Sequence, residues 1–151
     1  MVNVELCRDN EAMMFCTVFC CVLNIKTGEC LYSNAGHNPP LIVRSGQKPQ
    51  WLTLPAGFPM GVTEDSTYRT EKIVLNPGDT FILYTDGVTE AMDYDKTLYS
   101  ANRLITTVDI SRTPSLEQLV SDIIKSVKDF TGEELQSDDI TILAVRFIGG
   151  A

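Results

Sequence analysis

The chain has 151 residues, of which 44% are hydrophobic, and its formal net charge at pH 7 is −8. This length suits one domain with a substantial core, and because no apolar run approaches about 18 residues, the sequence contains no candidate transmembrane helix. The acidic balance argues against unspecific binding of nucleic acid, which needs a basic surface to neutralise phosphates.

Most of the predicted elements are β-strands. Residues 15–24 form a nearly continuous apolar run, which predicts a central strand that is covered on both faces. A turn at residues 26–29 leads into a second strand at residues 30–33, so these two strands are predicted to form a hairpin. Apolar and β-branched runs predict five further strands, at residues 41–44, 50–53, 68–75, 80–84 and 140–147.

Two helices are predicted in the second half of the chain. Ser115 is the expected N-cap of one of them, Gln118 completes a capping box, and the helix should end near Gly132. Its apolar residues recur at helical spacing and indicate a core-facing stripe made of Leu116, Leu119, Val120, Ile123, Ile124, Val127 and Phe130. The other helix is predicted around residues 101–108. Strands with helices packed outside them indicate an α+β fold, and because no long linker interrupts the chain, we predict one domain over residues 1–151.

The cysteines bear on the cellular compartment. There are five, an odd number, and Cys20 and Cys21 are adjacent in the first predicted strand, where their side chains should point to opposite faces. We expect reduced, buried thiols in a cytoplasmic protein, with a zinc site or a disulfide framework as the alternatives. The N-terminus has no basic start followed by a long hydrophobic region, so no secretory signal is visible.

Two short motifs each place a carboxylate at the end of a strand. Asp86 follows the buried strand at residues 80–84 and precedes Gly87, whereas Asp138 lies just before the last strand. If these strands pair antiparallel, the end of one meets the start of the other and the two carboxylates converge. Carboxylates so close repel each other, and a hard divalent cation such as Mg²⁺ or Mn²⁺ relieves that repulsion. Gly87 would let the backbone approach the ion without a side chain in the way.

Each motif also has an ordinary explanation. The dipeptide Asp86-Gly87 is a common turn signal, and the segment Ser137-Asp138-Asp139 could be a solvated loop. The pair of motifs is more specific than either motif alone. Asp139 stands beside the candidate ligand and could support it or exchange roles with it.

The single histidine, His37, is a tempting catalytic base. Beside Gly36 and the prolines that follow, its simpler role is to order a turn through a hydrogen bond to the backbone. Asn34 is likewise expected to form the turn.

Three segments in a fixed order carry a family resemblance. They are Asn34-Ala35-Gly36-His37-Asn38-Pro39-Pro40, Tyr84-Thr85-Asp86-Gly87-Val88-Thr89-Glu90-Ala91 and Ser137-Asp138-Asp139-Ile140-Thr141. Together they resemble the SpoIIE-like branch of the bacterial metal-dependent (PPM-type) serine/threonine protein phosphatases, over residues 3–147. The resemblance implies part of a four-layer α-β-β-α sandwich with mostly antiparallel sheets and flanking helices.

The resemblance also implies an activity, cofactors and partners. The complete domain would hydrolyse phosphoserine or phosphothreonine with two ions, Mn²⁺ or Mg²⁺, and Asp86 and Asp138 would each hold one of them, the family pattern favouring Asp138 over Asp139. Gly87, Asp139 and His37 would lie next to the ligands or near the substrate. The implied substrate is a small phosphorylated anti-sigma-factor antagonist, and a sensory or receiver domain is implied upstream.

The sequence departs from the family pattern in one respect. The family carries an upstream Asp-rich strand and an Asp-x-x-Gly-His-Gly segment that help to hold both ions, and neither occurs here. Residues 1–11 resemble the end of the helix that follows that segment. We therefore expect the C-terminal part of a phosphatase domain, with an incomplete metal site and little activity alone. We also expect an exposed sheet edge or apolar patch that favours homo-oligomers.

Two alternatives to a phosphatase follow from the same residues. The chain could be a phosphatase-like interaction or dimerisation module without catalytic activity in a signalling protein, which weak metal binding would favour. It could also be an unrelated small β-rich binding domain, which would require all three motifs to be coincidental.

Overall fold

The computed structural model describes residues 2–111 and 115–150, which form two compact units. Unit 1 contains residues 2–39, 53–76 and 149–150, and unit 2 contains residues 40–52, 77–111 and 115–148. The elements in chain order are α1 Val2–Cys7, β1 Val18–Leu23, β2 Glu29–Ala35, β3 Leu41–Val43, β4 Gln50–Trp51, β5 Thr70–Val74, β6 Thr80–Tyr84, α2 Asp86–Thr89, α3 Ser100–Ser111, α4 Leu116–Thr131 and β7 Ile142–Arg146.

Unit 1 is built on an antiparallel sheet with the strand order β1-β2-β5. The predicted hairpin of β1 and β2 is confirmed, with Leu23 opposite Cys30. Asn24 shapes its turn, because the side-chain Oδ1 accepts hydrogen bonds from the backbone N–H groups of Lys26 at 3.0 Å and Thr27 at 3.2 Å.

The prediction that β1 is a central strand covered on both faces is wrong. β1 lies at one end of the strand order, and Val22, its second-to-last residue, is 68% exposed. Leu31, which pairs with Val22 from the central strand β2, is also exposed, so this face of the antiparallel sheet is uncovered. An apolar run shows that a segment favours a strand, but what packs against the sheet decides which faces are covered.

The prediction of buried thiols holds for one cysteine. All five cysteines, which lie in the described part of the chain, are free thiols, and Cys30 on β2 is fully buried. Burial raises the pKa of the Cys30 thiol to about 12, with a smaller contribution from the neighbouring Cys21. Cys16, Cys20 and Cys21 are exposed, and the last two lie on β1 at the edge of its sheet.

Unit 2 is built on a four-stranded antiparallel sheet with the order β4-β3-β6-β7. α4 contacts both β7 and α3, and α3 contacts α2. The core between the sheet and these helices consists of Leu41, Ile82, Tyr84, Val88, Ala91, Tyr99, Leu104, Val108, Leu119, Ile123 and Val127. Antiparallel sheets with packed helices confirm the α+β class.

α4 begins and ends where the sequence predicts. The Ser115 side chain accepts a hydrogen bond from the backbone N–H of Gln118 at 3.2 Å, and Gly132 follows the helix with a φ of 61°. The predicted second helix is longer than expected and covers Ser100–Ser111.

The apolar stripe of α4 is only partly buried. Leu119, Ile123 and Val127 belong to the core, whereas Ile124 is 37% exposed. Among the described residues, no helix combines the length and the apolar character that crossing a membrane would require.

Candidate functional site

The end of β6 and the start of β7 lie side by side in unit 2. The two strands are antiparallel and Tyr84 is opposite Ile142, which confirms the predicted pairing. Asp86 is the first residue of α2, two positions after β6 ends, and Asp138 lies four positions before β7 begins. The fold therefore brings the two carboxylate-bearing segments to the same edge of the sheet.

Thr85 ties these two segments together, a role that the sequence did not indicate. Its Oγ1 donates to the Asp139 carbonyl oxygen at 2.7 Å and accepts from the Thr141 N–H at 2.9 Å. Its own N–H donates to the Thr141 carbonyl oxygen at 3.1 Å, which extends the pairing beyond the strands. The one feature of the sequence that could have drawn attention to Thr85 is its position directly before Asp86.

Gly87 lies where the two segments touch. A Cβ atom at this position would lie 2.6 Å from the Asp139 carbonyl oxygen, closer than real Cβ contacts allow, and 3.0 Å from that of Asp138, which is also tight. The backbone of one carboxylate segment thus occupies the space that a side chain at Gly87 would need. This close contact between backbones requires glycine at position 87. The role of Gly87 in letting the backbone approach an ion remains a prediction.

Asp86 and Asp138 share a local geometry. Each side chain is exposed, and each Oδ1 accepts a hydrogen bond from the N–H of the next residue, at 3.1 Å from Gly87 and at 2.7 Å from Asp139. These bonds restrain the orientation of both carboxylates. Gln136 holds the second loop, because its Nε2 donates to the Asp138 carbonyl oxygen at 2.6 Å.

The donor chemistry of this edge fits a hard divalent cation. Its groups are two carboxylates and the backbone carbonyl groups beside them, which are the oxygen ligands that Mg²⁺ and Mn²⁺ prefer, and their exposure allows water to complete the coordination. Within residues 2–111 and 115–150, no three or more His, Cys, Asp or Glu side chains form a group that could hold a metal ion. Asp86 and Asp138 remain predicted ligands.

Asp139 plays a different part from Asp138 in the structure. Its backbone carbonyl oxygen is bonded to Thr85, while its side chain is exposed. Its suggested exchange of roles with Asp138 remains a prediction.

His37 belongs to unit 1 and orders a turn there, as predicted. Its N–H donates to the Asn34 side chain at 3.1 Å, and its Nδ1 donates to the Asn38 carbonyl oxygen at 2.9 Å. Asn34 is buried on β2, so it anchors this turn to the sheet. The suggested role of His37 near a substrate remains a prediction.

Comparisons with known proteins agree on one family. The family model of stage II sporulation protein E (SpoIIE) matches residues 1–148. Protein IcfG of Synechocystis is 36% identical over 139 residues, which cover 89% of this chain and 21% of IcfG. The phosphoserine phosphatase RsbU of Bacillus subtilis is 26% identical over 136 residues, which cover 90% of this chain and 40% of RsbU.

A solved structure shows the same fold. The phosphatase domain of SpoIIE from Bacillus subtilis, from crystals presoaked with manganese, superposes with a TM-score of 0.72 at 16% sequence identity. The match covers 98% of this chain and 63% of that one. The chain therefore spans about a fifth of IcfG, about two fifths of RsbU and less than two thirds of the SpoIIE phosphatase domain.

Proposed function

Because this chain belongs to the SpoIIE family of bacterial PPM-type phosphatase domains, we propose that it supplies part of the metal site of a serine/threonine protein phosphatase. The observation that carries the proposal is the contact between the two carboxylate segments. Asp86 and Asp138 lie on segments that touch at Gly87 and are bonded through Thr85, so an ion could draw on both.

In the proposed site, each residue of this chain has a distinct task. Asp86 and Asp138 would hold the divalent cation, Mn²⁺ or Mg²⁺, and Thr85 would fix the spacing between their segments. Such an ion supplies activation of water and neutralisation of phosphoryl oxygens. The manganese used with the SpoIIE phosphatase domain supports the choice of metal.

We propose that these 151 residues alone have little activity. The family pattern draws further metal ligands from an Asp-x-x-Gly-His-Gly segment that does not occur in this sequence. Two carboxylates can hold an ion with the help of water, but the complete family site takes two ions.

The proposed substrate is a phosphoserine or phosphothreonine of a regulatory protein of the anti-sigma-factor antagonist type. RsbU, which this chain resembles, is a phosphoserine phosphatase, and this supports the substrate class. Because the chain spans a minor part of IcfG and RsbU, we propose that it works beside a sensory or receiver domain in a cytoplasmic signalling protein.

Titration calorimetry with Mn²⁺ tests the metal site. Asp86→Asn and Asp138→Asn should each weaken Mn²⁺ binding at least about tenfold, a loss of about 1.4 kcal/mol. Asp129→Asn is the matched control, since Asp129 is exposed on α4 in the same unit. Unchanged binding in both site variants would refute the proposal. Robust Mn²⁺-dependent hydrolysis of a generic phosphate ester that Asp86→Ala abolishes would instead show that the site is complete.

One observation favours a second candidate function, a non-catalytic interaction or dimerisation module. Val22, Leu31 and Val74 share a face of the unit 1 sheet, because Val22 pairs with Leu31 and Leu31 pairs with Lys72, two residues before Val74. They are 68%, 42% and 49% exposed, respectively. Exposed apolar faces of this kind mark interaction sites. Light scattering should detect oligomers that Val22→Lys disrupts, whereas a monomer at high concentration would refute the dimerisation role.

A further inference from the structure

Unit 2 contains a cleft near the candidate metal site. Asp86 and Asp138 do not line this cleft, so the proposed metal site does not account for it. Its volume is about 430 Å³, which falls in the range of about 300–1,000 Å³ that is typical of ligand pockets. Its walls are the C-terminal half of α4, the segment after α2 and the loop between α4 and β7.

Two of these walls continue directly into the carboxylate segments. Ser137 lines the cleft and immediately precedes Asp138. On the other wall, Ala91 lines the cleft five positions after Asp86, just beyond the short helix α2. Gln136 lines the cleft as well, and its side chain holds the Asp138 carbonyl oxygen at 2.6 Å. The cleft is therefore walled in part by the same two segments that carry the carboxylates.

The lining of the cleft is suited to an aliphatic side chain. Met92 and Ile124 line the cleft from different segments with 38% and 37% of their surfaces exposed, while Val127 is buried and Ile140 partly buried. Leu135, which is 93% exposed, also borders the cleft. Methionine adapts its shape to different partners, and covering these exposed apolar groups would be favourable.

The exposure of Ile124 also explains a feature of the sequence. The apolar stripe of α4 is wider than the core requires. Ile124 belongs to the stripe but not to the core, and it lines the cleft. Two charged residues line the cleft: Glu134, which is paired with Lys96 at 3.0 Å, and Lys128, in the last turn of α4. A lysine can keep its ammonium group in water while its methylene groups lie along apolar surface, so neither residue opposes an apolar guest.

We propose that this cleft receives an aliphatic side chain of the phosphoprotein substrate, from a residue within about three positions of the phosphorylated serine or threonine. The proposal rests on the function proposed above. An extended peptide advances about 3.3–3.6 Å per residue, so three residues span about 10 Å. Neighbouring Cα atoms are about 3.8 Å apart, which places the wall at Ser137 well within that reach of Asp138.

Binding of matched peptides tests the proposal. The probes are short phosphoserine peptides of glycine and serine that carry one leucine at a single position on either side of the phosphoserine, each paired with a peptide that has asparagine there. Affinities are measured by fluorescence anisotropy with millimolar Mg²⁺. Leucine should improve affinity about fivefold at one or two positions, the effect of burying part of its side chain.

Two variants locate the effect. Ile124→Asn should remove the leucine preference, whereas Ile110→Asn should keep it, since Ile110 is 76% exposed on α3 and does not line the cleft. The NMR signal of the Met92 methyl group, assigned through Met92→Leu, should shift with the leucine peptides and not with their asparagine partners. This readout does not depend on activity.

The outcomes separate this proposal from the proposed function. No leucine preference, an equal preference at every position, or a preference that survives Ile124→Asn would overturn the role of the cleft. Asp86→Asn should weaken all phosphopeptides alike and leave the leucine preference unchanged. If Asp86→Asn has no effect while Ile124→Asn removes the preference, the proposed function fails and the cleft still holds its side chain.

Discussion

Replacing Thr85 by valine tests whether this residue joins the two carboxylate segments. Valine keeps the shape of threonine but removes Oγ1, which donates to the Asp139 carbonyl oxygen at 2.7 Å and accepts from the Thr141 N–H at 2.9 Å. A hydrogen bond contributes about 0.5–1.5 kcal/mol net, so the loss of two should lower the free energy of unfolding by about 1–3 kcal/mol. For a chain of 151 residues, each kcal/mol corresponds to about 2–4 °C in Tm.

The assay is urea unfolding of Thr85→Val, with Thr85→Ser and Thr97→Val as controls. Serine retains the hydroxyl group and should restore most of the stability. Thr97 is exposed in a loop of the same unit. Its contacts with Asp93 are made by its backbone, whose N–H donates to the Asp93 side chain, so valine should leave them in place. If Thr85→Val is as stable as Thr97→Val, Thr85 does not tie the segments together. A second readout is Mn²⁺ affinity, which should fall in Thr85→Val because the Asp138 segment loses its anchor.

Two further predictions concern other parts of the chain. Gly87→Ala should destabilise unit 2 by about 1–3 kcal/mol in urea unfolding, because the added Cβ would lie 2.6 Å from the Asp139 carbonyl oxygen, and an unchanged midpoint would contradict this contact. Cys30 should react with a thiol reagent at pH 8 only after unfolding, since burial raises its pKa to about 12 and little thiolate forms. Cys20 and Cys21 should react quickly in the folded chain, and Cys30→Ser should lose no fast-reacting thiol.

The sequence predicted the candidate site better than it predicted the surroundings of β1. The pairing of β6 with β7 could be predicted because the buried apolar run of residues 80–84 and the turn residues around it define where the strand ends. Both carboxylates could then be placed at strand ends by counting residues. The exposure of Cys20 and Cys21 could not be predicted, because it depends on which faces of the sheet are covered and on which strand lies at its edge.

Contacts between backbone segments that are far apart in the sequence also could not be predicted. The tie from Thr85 to Asp139 joins residues 54 positions apart, and nothing in the local pattern distinguishes this threonine from a turn residue. Gly87 illustrates the same point, since the sequence suggested a turn or room for the backbone to approach an ion, while the structure shows a close contact with the Asp138–Asp139 backbone. Such contacts depend on the register of β6 and β7, which only the folded chain displays.

The loop between α4 and β7 connects the site to the cleft, and this connection bears on how substrate and metal would act together. Gln136 and Ser137 form part of the cleft wall, Asp138 is a candidate ligand, and the Asp139 carbonyl oxygen is held by Thr85. A side chain that enters the cleft contacts the same short loop that positions Asp138. Coupling between two sites is reciprocal, so any gain that a bound side chain gives to metal affinity must equal the gain that the metal gives to substrate affinity. If both proposals hold, the same loop would contact a side chain of the substrate and carry the metal ligand Asp138.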